Sequence, residues 1–225
     1  MGPHAIEVCA DVCVVGGRGL TAPEDAAIYL VTAGDTAALI DAGCGRATDL
    51  LLANVEAAGV TPSRIRQLLL THCHFDHTGG AAELRRRLGC VTVAHALDAA
   101  TIEAGDDEVS AAAWYRSHLA PCPVDRKLVA AEEAIAIGGR MMQACHIPGH
   151  SPGSVAFVWE SAGRRILFGQ DVHGPLDDAL RSDPVHYQAS LRKLLALEAD
   201  VLCEGHCGVI AGAGRVAEFI RGFIT

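Results

Sequence analysis

Apolar residues in this chain gather in short runs separated by glycine-rich or polar turns, and only a few segments carry a helical period. Short apolar runs bounded by turn signals read as strands. Residues 6–15 alternate weakly and are expected as one strand. Residues 26–32 and 36–41 read as a hairpin around Ala33-Gly34-Asp35. Residues 65–70 and 90–94 read as buried strands. The second half is richer in strands: 133–137, 141–147, 154–159 and 165–168 predict an antiparallel meander, broken at Gly138-Gly139 and Ser161-Ala162-Gly163. Residues 200–203 are expected as the last strand. Helical spacing marks 48–59, where Leu50, Leu51, Val55 and Ala58 make an apolar stripe and Gly59 a stop. It also marks 81–88, 183–197 and 214–223. The helix at 183 opens on Asp183-Pro184, a good cap followed by a proline suited to the first turn. In 97–124 two helical pieces are parted by Asp106-Asp107-Glu108, the second over 111–119. Each half reads as strands, helix, strand, helix. That order predicts an α/β fold with two mixed β-sheets packed face to face and helices outside.

Bulk properties narrow the class. The chain has 225 residues, enough for one domain over 1–225 with a full core. Half of the residues are hydrophobic and 20% are charged, which is globular rather than disordered. The net charge of −9 argues against nucleic-acid and anionic-membrane partners. The first residues lack a basic segment followed by an apolar core, and no stretch approaches the ~20 apolar residues of a membrane span. Nine cysteines without framework spacing predict reduced thiols and a cytoplasmic protein. Gly16-Gly17-Arg18-Gly19 has neither the lysine nor the clean helix start of a phosphate loop, and is expected as a loop at the mouth of a site. The partner implied is a small-molecule substrate, and a homodimer stays open.

The candidate chemistry starts at His72-Cys73-His74-Phe75-Asp76-His77-Thr78-Gly79-Gly80. In an extended segment His72, His74 and Asp76 project to one side, and a turn after Asp76 would return His77 to them. Imidazole and carboxylate suit zinc, which takes about four ligands. The cluster falls short of two complete ligand sets, so further ligands are expected downstream. Three turn-like sites supply them: Gly149-His150-Ser151-Pro152-Gly153, Gly169-Gln170-Asp171 and Glu204-Gly205-His206. Cys73 and Cys207 adjoin proposed ligands, but neighbours on a strand point apart, so packing is the expected role. His95 lacks partner spacing and is expected to be structural or on the surface.

These motifs, in this order, together with Ile40-Asp41-Ala42-Gly43, resemble the metallo-β-lactamase superfamily over nearly the whole chain. The resemblance implies a four-layer αβ/βα sandwich with its ligands in loops at one edge. Carried over residue by residue, His72, His74 and His150 match one metal site, and Asp76, His77 and His206 match the other. Asp171 matches the carboxylate that bridges them. Asp41 matches a residue that supports the metal loop by accepting hydrogen bonds, and is not a ligand. The cofactors implied are two divalent ions, zinc by default, with iron or manganese open.

The bridging position makes the chain more similar to the glyoxalase II, lactonase and thioesterase branches than to the antibiotic-degrading ones. The activity implied is hydrolysis of a lactone, a thioester or a related carbonyl ester. Asp76 would orient the attacking water or relay its proton. Glyoxalase II enzymes carry an extra C-terminal helical region, and only residues 207–225 follow His206, which argues against a glutathione thioester. Lactonases place a tyrosine shortly after the bridging Asp, where this chain has Val172-His173-Gly174-Pro175. His173 is therefore a candidate proton donor or substrate contact, with a packed loop histidine as the alternative. Other readings are a one-iron oxidoreductase of the persulfide dioxygenase type and a non-catalytic metal-binding protein. Residues 97–124, with Trp114 and Tyr115, are a candidate helical lid over the pocket.

Overall fold

Strands β1 (Ile6–Cys9), β2 (Val12–Gly16), β3 (Ile28–Ala33) and β4 (Thr36–Ile40) run antiparallel to one another, as short connections allow. The strand expected over 6–15 is thus a hairpin. It breaks at Asp11, whose carboxylate leaves the sheet to accept from the Trp159 indole at 3.0 Å. Beyond β4 the sheet turns parallel through β5 (Ile65–Leu69), β6 (Val91–His95) and β7 (Arg126–Leu128), each reached by a helical crossover. A three-residue strand such as β7 has no room to show a period, and its sequence does not announce it. These structural statements come from a computed structural model and cover residues 2–225.

The second sheet runs in the order β13 (Gly208–Ala211), β12 (Val201–Glu204), β11 (Arg164–Phe168), β10 (Val155–Ser161), β9 (Arg140–His146) and β8 (Glu132–Ile137). The expected meander is present from β8 to β11. The strand near 200 is not the last: β13 follows the turn after His206 and pairs antiparallel with β12.

Inward residues of the two sheets interlock. Tyr29, Val31 and Ile40 meet Phe157, Trp159 and Phe168, all buried. Helices α1 (Thr48–Ala57), α3 (Ala81–Leu88) and α4 (Ala96–Ala104) cover the outer face of the first sheet. Helices α5 (Pro184–Ala196) and α6 (Ala213–Arg221) cover the second. The result is the four-layer αβ/βα sandwich. In α1 the buried set is Leu51, Leu52, Asn54 and Val55, with Leu50 and Ala58 only partly covered. Asn54 sits on the inner face because its amide donates to the Val15 carbonyl at 2.8 Å. Among the described residues, no helix is long and apolar enough to cross a membrane.

The segment after α4 departs from expectation. Residues 111–119 hold only a 3-10 turn, Ala112–Tyr115, flanked by Ala111 and Arg116 in the left-handed region. The acidic triplet explains this. Asp106 accepts from the Glu108 and Val109 amides, and Asp107 accepts from the Leu119 amide at 2.7 Å, so side chains replace the helix hydrogen bonds. Trp114, Tyr115 and His118 consequently share no helical face. Trp114 is exposed, Tyr115 packs against Phe75 with the rings tilted, and His118 binds Asp107.

Candidate metal centre

The site lies where β5 ends. His72 lies in the bend after β5, His74 is the extended residue that caps the next helix, and Asp76 and His77 lie on that one-turn helix, α2 (Phe75–Thr78). Asp76 is therefore not brought in by strand alternation, as expected from sequence; the helical turn places it. Gly79 and Gly80 let α3 start against the loop after β4. A Cβ on Gly79 would stand 2.7 Å from the Cys44 carbonyl oxygen, and one on Gly80 would meet that of Ala42. His150 comes from the turn after β9, Asp171 from the loop after β11, and His206 from the β12–β13 turn.

All seven sequence-derived ligand candidates are brought together. His72, His74, His150 and Asp171 form one group of donor atoms, and Asp76, His77 and His206 form a second. Asp171 spans the two. Its Oδ2 is 3.1 Å from His150 Nε2, and its Oδ1 is 3.2 Å from His77 Nε2 and 3.4 Å from His206 Nε2. Asp76 Oδ2 is 3.2 Å from His206 Nε2.

The Nε2 atoms of His72, His74, His77 and His150, and Asp171 Oδ1, are buried without a hydrogen-bond partner. Orphaned polar atoms of this kind are costly unless something binds them. Five imidazoles and two carboxylates converging on one spot fit divalent cations.

Partners outside the cluster fix the rings. His77 Nδ1 lies 2.6 Å from Asp41 Oδ2, His150 Nδ1 is 2.9 Å from the Pro175 carbonyl, and His72 Nδ1 is 3.0 Å from Thr71 Oγ1. Donation from Nδ1 leaves the Nε2 lone pair free for a cation. Asp41, in the left-handed region, also accepts from the Thr71 amide and from the Gln170 side chain.

Burial keeps His72 and His74 neutral, the latter down to about 3, and neighbouring imidazoles add to the effect. Burial would also lower His206, but Asp171 and Asp76 outweigh it and raise that ring to about 10. Burial works against ionisation of Asp171, yet His77, His150 and His206 hold its carboxyl well below the usual range. The cluster thus carries ionised carboxylates whose charge a cation can share.

His173 lines the pocket beside His206, their ring centroids 5.2 Å apart. Its Nδ1 is 2.7 Å from Glu204 Oε1, leaving Nε2 as the free ring atom. Glu204 also accepts from the His206 and Cys207 amides. His173, Glu204 and Cys207 approach one another closely enough for a metal, but those donors already occupy the carboxylate. Cys73 packs in the core, and all nine cysteines are unbridged. Tyr187 is buried and its hydroxyl donates to the Val172 carbonyl, so it does not face the pocket. His95 is buried and stacked on His146 at 3.8 Å.

Sequence reasoning missed Asp98. Buried in α4, it accepts from the Cys73 amide at 2.9 Å, the Gly153 amide at 2.7 Å and the Ser151 hydroxyl at 2.6 Å. It ties the His72–His77 loop to the His150 turn. The only sequence signal is an acid in the first turn of a helix, which also fits ordinary helix capping.

A family profile described as the metallo-beta-lactamase superfamily matches residues 22–206. A hydroxyacylglutathione hydrolase of Anaeromyxobacter dehalogenans is 36% identical over 63% of this chain and 44% of its own length. The acyl-coenzyme A thioesterase MBLAC2 of Gallus gallus is 30% identical over 88% of this chain and 78% of its own. The chain spans about half the length of several other curated relatives it matches. In structure it superposes on a B3 metallo-beta-lactamase with an active-site glutamic acid, at a TM-score of 0.81 and 23% identity, covering 99% of this chain and 88% of that one.

Proposed function

The chain belongs to the metallo-beta-lactamase superfamily, and on that premise we propose a hydrolase of acyl thioesters and related carbonyl esters, lactones included, that works with two divalent cations. One observation carries the two-cation reading: Asp171 turns one carboxylate oxygen toward each donor group. Zinc suits the donor set, and iron and manganese accept the same atoms. Bound cations supply water of lowered pKa and a Lewis acid for the carbonyl oxygen.

The chain's own groups do the rest. His72, His74 and His150 on one side, and Asp76, His77 and His206 on the other, hold the ions in place. Asp76 orients the attacking water and takes up its proton. His173 stands by the leaving atom. Glu204, accepting from Nδ1, favours the protonated ring, whose Nε2–H can return a proton to the leaving thiolate or alkoxide. The thioester emphasis follows relatives named as thioesterases and a hydroxyacylglutathione hydrolase. The substrate is a small molecule, and cytoplasmic residence is part of the same proposal, in keeping with nine unbridged thiols.

The test is elemental analysis followed by a panel of thioesters, lactones, phosphoesters and sulfate esters. Two divalent ions per chain and chelator-sensitive thioester or lactone turnover are expected. One iron with oxygen uptake would instead establish the oxidoreductase reading. A fully loaded protein inert on the whole panel would leave a non-catalytic binding protein.

A further inference from the structure

We propose that the open groove beside His206 holds the acyl chain of the substrate. The inference rests on the thioesterase reading above and adds to it the side on which the acyl group lies. The pocket over the donor cluster has a volume of only about 130 Å³, room for the reacting ester group and little more. Next to it opens a groove of about 570 Å³, within the ~300–1,000 Å³ range of small-ligand clefts. It runs between the loop after β2 and the β12–β13 turn. The two spaces are neighbours, with Tyr115 and His206 in the lining of both, so a substrate held at the cluster lies next to the groove.

The groove's lining mixes polar and apolar groups, and its apolar part suits a chain better than a charged carrier. Ile6, 52% exposed, and Val209, 39% exposed, line it and present large apolar side chains to water. Leu20 and Pro23 extend the apolar wall. Its acids are already engaged: Glu24 pairs with Arg46 at 2.9 Å, and Asp25 accepts from the Thr21 hydroxyl and the Ala22 and Cys44 amides. Arg18 is the one lining cation of the Lys and Arg type. A carrier bearing several phosphates would meet a single arginine there, whereas an unbranched acyl chain covers Ile6 and Val209 and takes them out of water.

The test uses metal-loaded protein and one thiol esterified with straight acyl chains from acetyl to decanoyl. Burial of a methylene corresponds to a roughly fourfold gain in binding, so KM is expected to fall about twofold to fourfold per carbon while kcat changes little. Val209→Glu puts a charge on the groove wall at an exposed position of an edge strand, and Ile6→Glu does so from the edge strand of the other sheet. Both are expected to abolish the chain-length gain and to leave acetyl thioester kinetics unchanged. Calorimetric binding of octanoate against acetate is read in parallel: octanoate should bind wild type at least tenfold more tightly than either variant, with acetate the same in all three. A KM independent of chain length, or octanoate binding untouched by both variants, overturns the proposal. Loss of all turnover in loaded wild type with octanoate discrimination intact would overturn the hydrolase reading and leave the groove.

Discussion

Asp98 is a buried carboxylate whose hydrogen-bond partners are the Cys73 and Gly153 amides and the Ser151 hydroxyl, with no cation among them. Burial raises its pKa, and those three donors pull the other way. Asp98→Ala leaves all three donors unmatched in the interior. It should cost roughly 2–4 kcal/mol in urea unfolding and weaken metal binding about tenfold or more in chelator competition. Asp98→Asn keeps one acceptor and should cost less; equal metal affinity in wild type and the alanine variant would refute the clasp. His95 gives a pH signature separate from the cluster. Burial, with His146 stacked on it, lowers its pKa from 6.5 to about 4, and Glu133 opposes the shift. The unfolded chain therefore binds the extra proton between those values. The stability due to a neutral His95 is present above pH 6.5 and is lost as the pH falls toward 4, by up to roughly 3 kcal/mol. His95→Asn keeps a helix N-cap and removes this titration, so its unfolding free energy should fall less than that of wild type from pH 6.5 to 4. Parallel curves would show that His95 does not titrate on unfolding.

Secondary elements show how far the sequence could be read. The β3–β4 hairpin, α3, the meander from β8 to β11 and the capped start of α5 were legible because a period or a turn signal spans each of them. In α5, Asp183 caps the Val185 and His186 amides as its position beside Pro184 implies. The seven candidate ligand positions were legible through motif order, and the downstream three lie in glycine-bearing turns, Gly149-His150, Gly169-Gln170-Asp171 and Gly205-His206. What was not legible depends on contacts distant in sequence. The 3-10 turn Ala112–Tyr115 replaces a helix because Asp107 is drawn to the Leu119 amide. β13 forms because β12 offers it an edge. Asp98 is spoken for by residues up to 55 positions away. The same distinction predicts the outcome of two glycine changes. Gly80→Ala would push its Cβ into the Ala42 carbonyl, forcing apart the segment that carries Asp41 and the one that carries His77. A loss of roughly 2–4 kcal/mol, with reduced metal uptake, is expected. Gly214→Ala in α6 meets open space and should instead stabilise by about 0.5–1 kcal/mol through helix propensity. Thermal melts of the two variants with metal bound give the comparison, and a stabilised Gly80→Ala would show that the ligand loops are not pressed together.

Across the whole molecule, a metal-loaded cluster would act as a fastener between two sheets that also meet through their inward side chains and through backbone hydrogen bonds, from the Val155 amide to the Thr71 carbonyl at 2.7 Å and from the Ala27 amide to the Gly205 carbonyl at 2.8 Å. His72, His74, Asp76 and His77 belong to the half built on β5; His150, Asp171 and His206 hang from the half built on β9, β11 and β12. Cations gripped by both halves would bind the folded chain more tightly than the unfolded one, whose separate histidines and cysteines are weaker ligands, so the difference in binding free energy adds to stability by mass action. With free metal at about a thousand times its dissociation constant the gain is at most about 4 kcal/mol. For a chain of this length that corresponds to a rise in Tm of roughly 8–16 °C. Scanning calorimetry of chelated protein against protein reloaded with zinc should show this shift. A single transition is expected in both forms, because the Tyr29, Phe157, Trp159 and Phe168 core is shared by the sheets and leaves neither half its own interior. Asp171→Asn should lose most of the zinc-induced rise, since it weakens the one side chain that addresses both donor groups. Equal melting temperatures with and without zinc, in protein shown by elemental analysis to have taken it up, would mean that the loops hold their geometry without the ions and that the apolar core and the hydrogen bonds between the halves do the fastening.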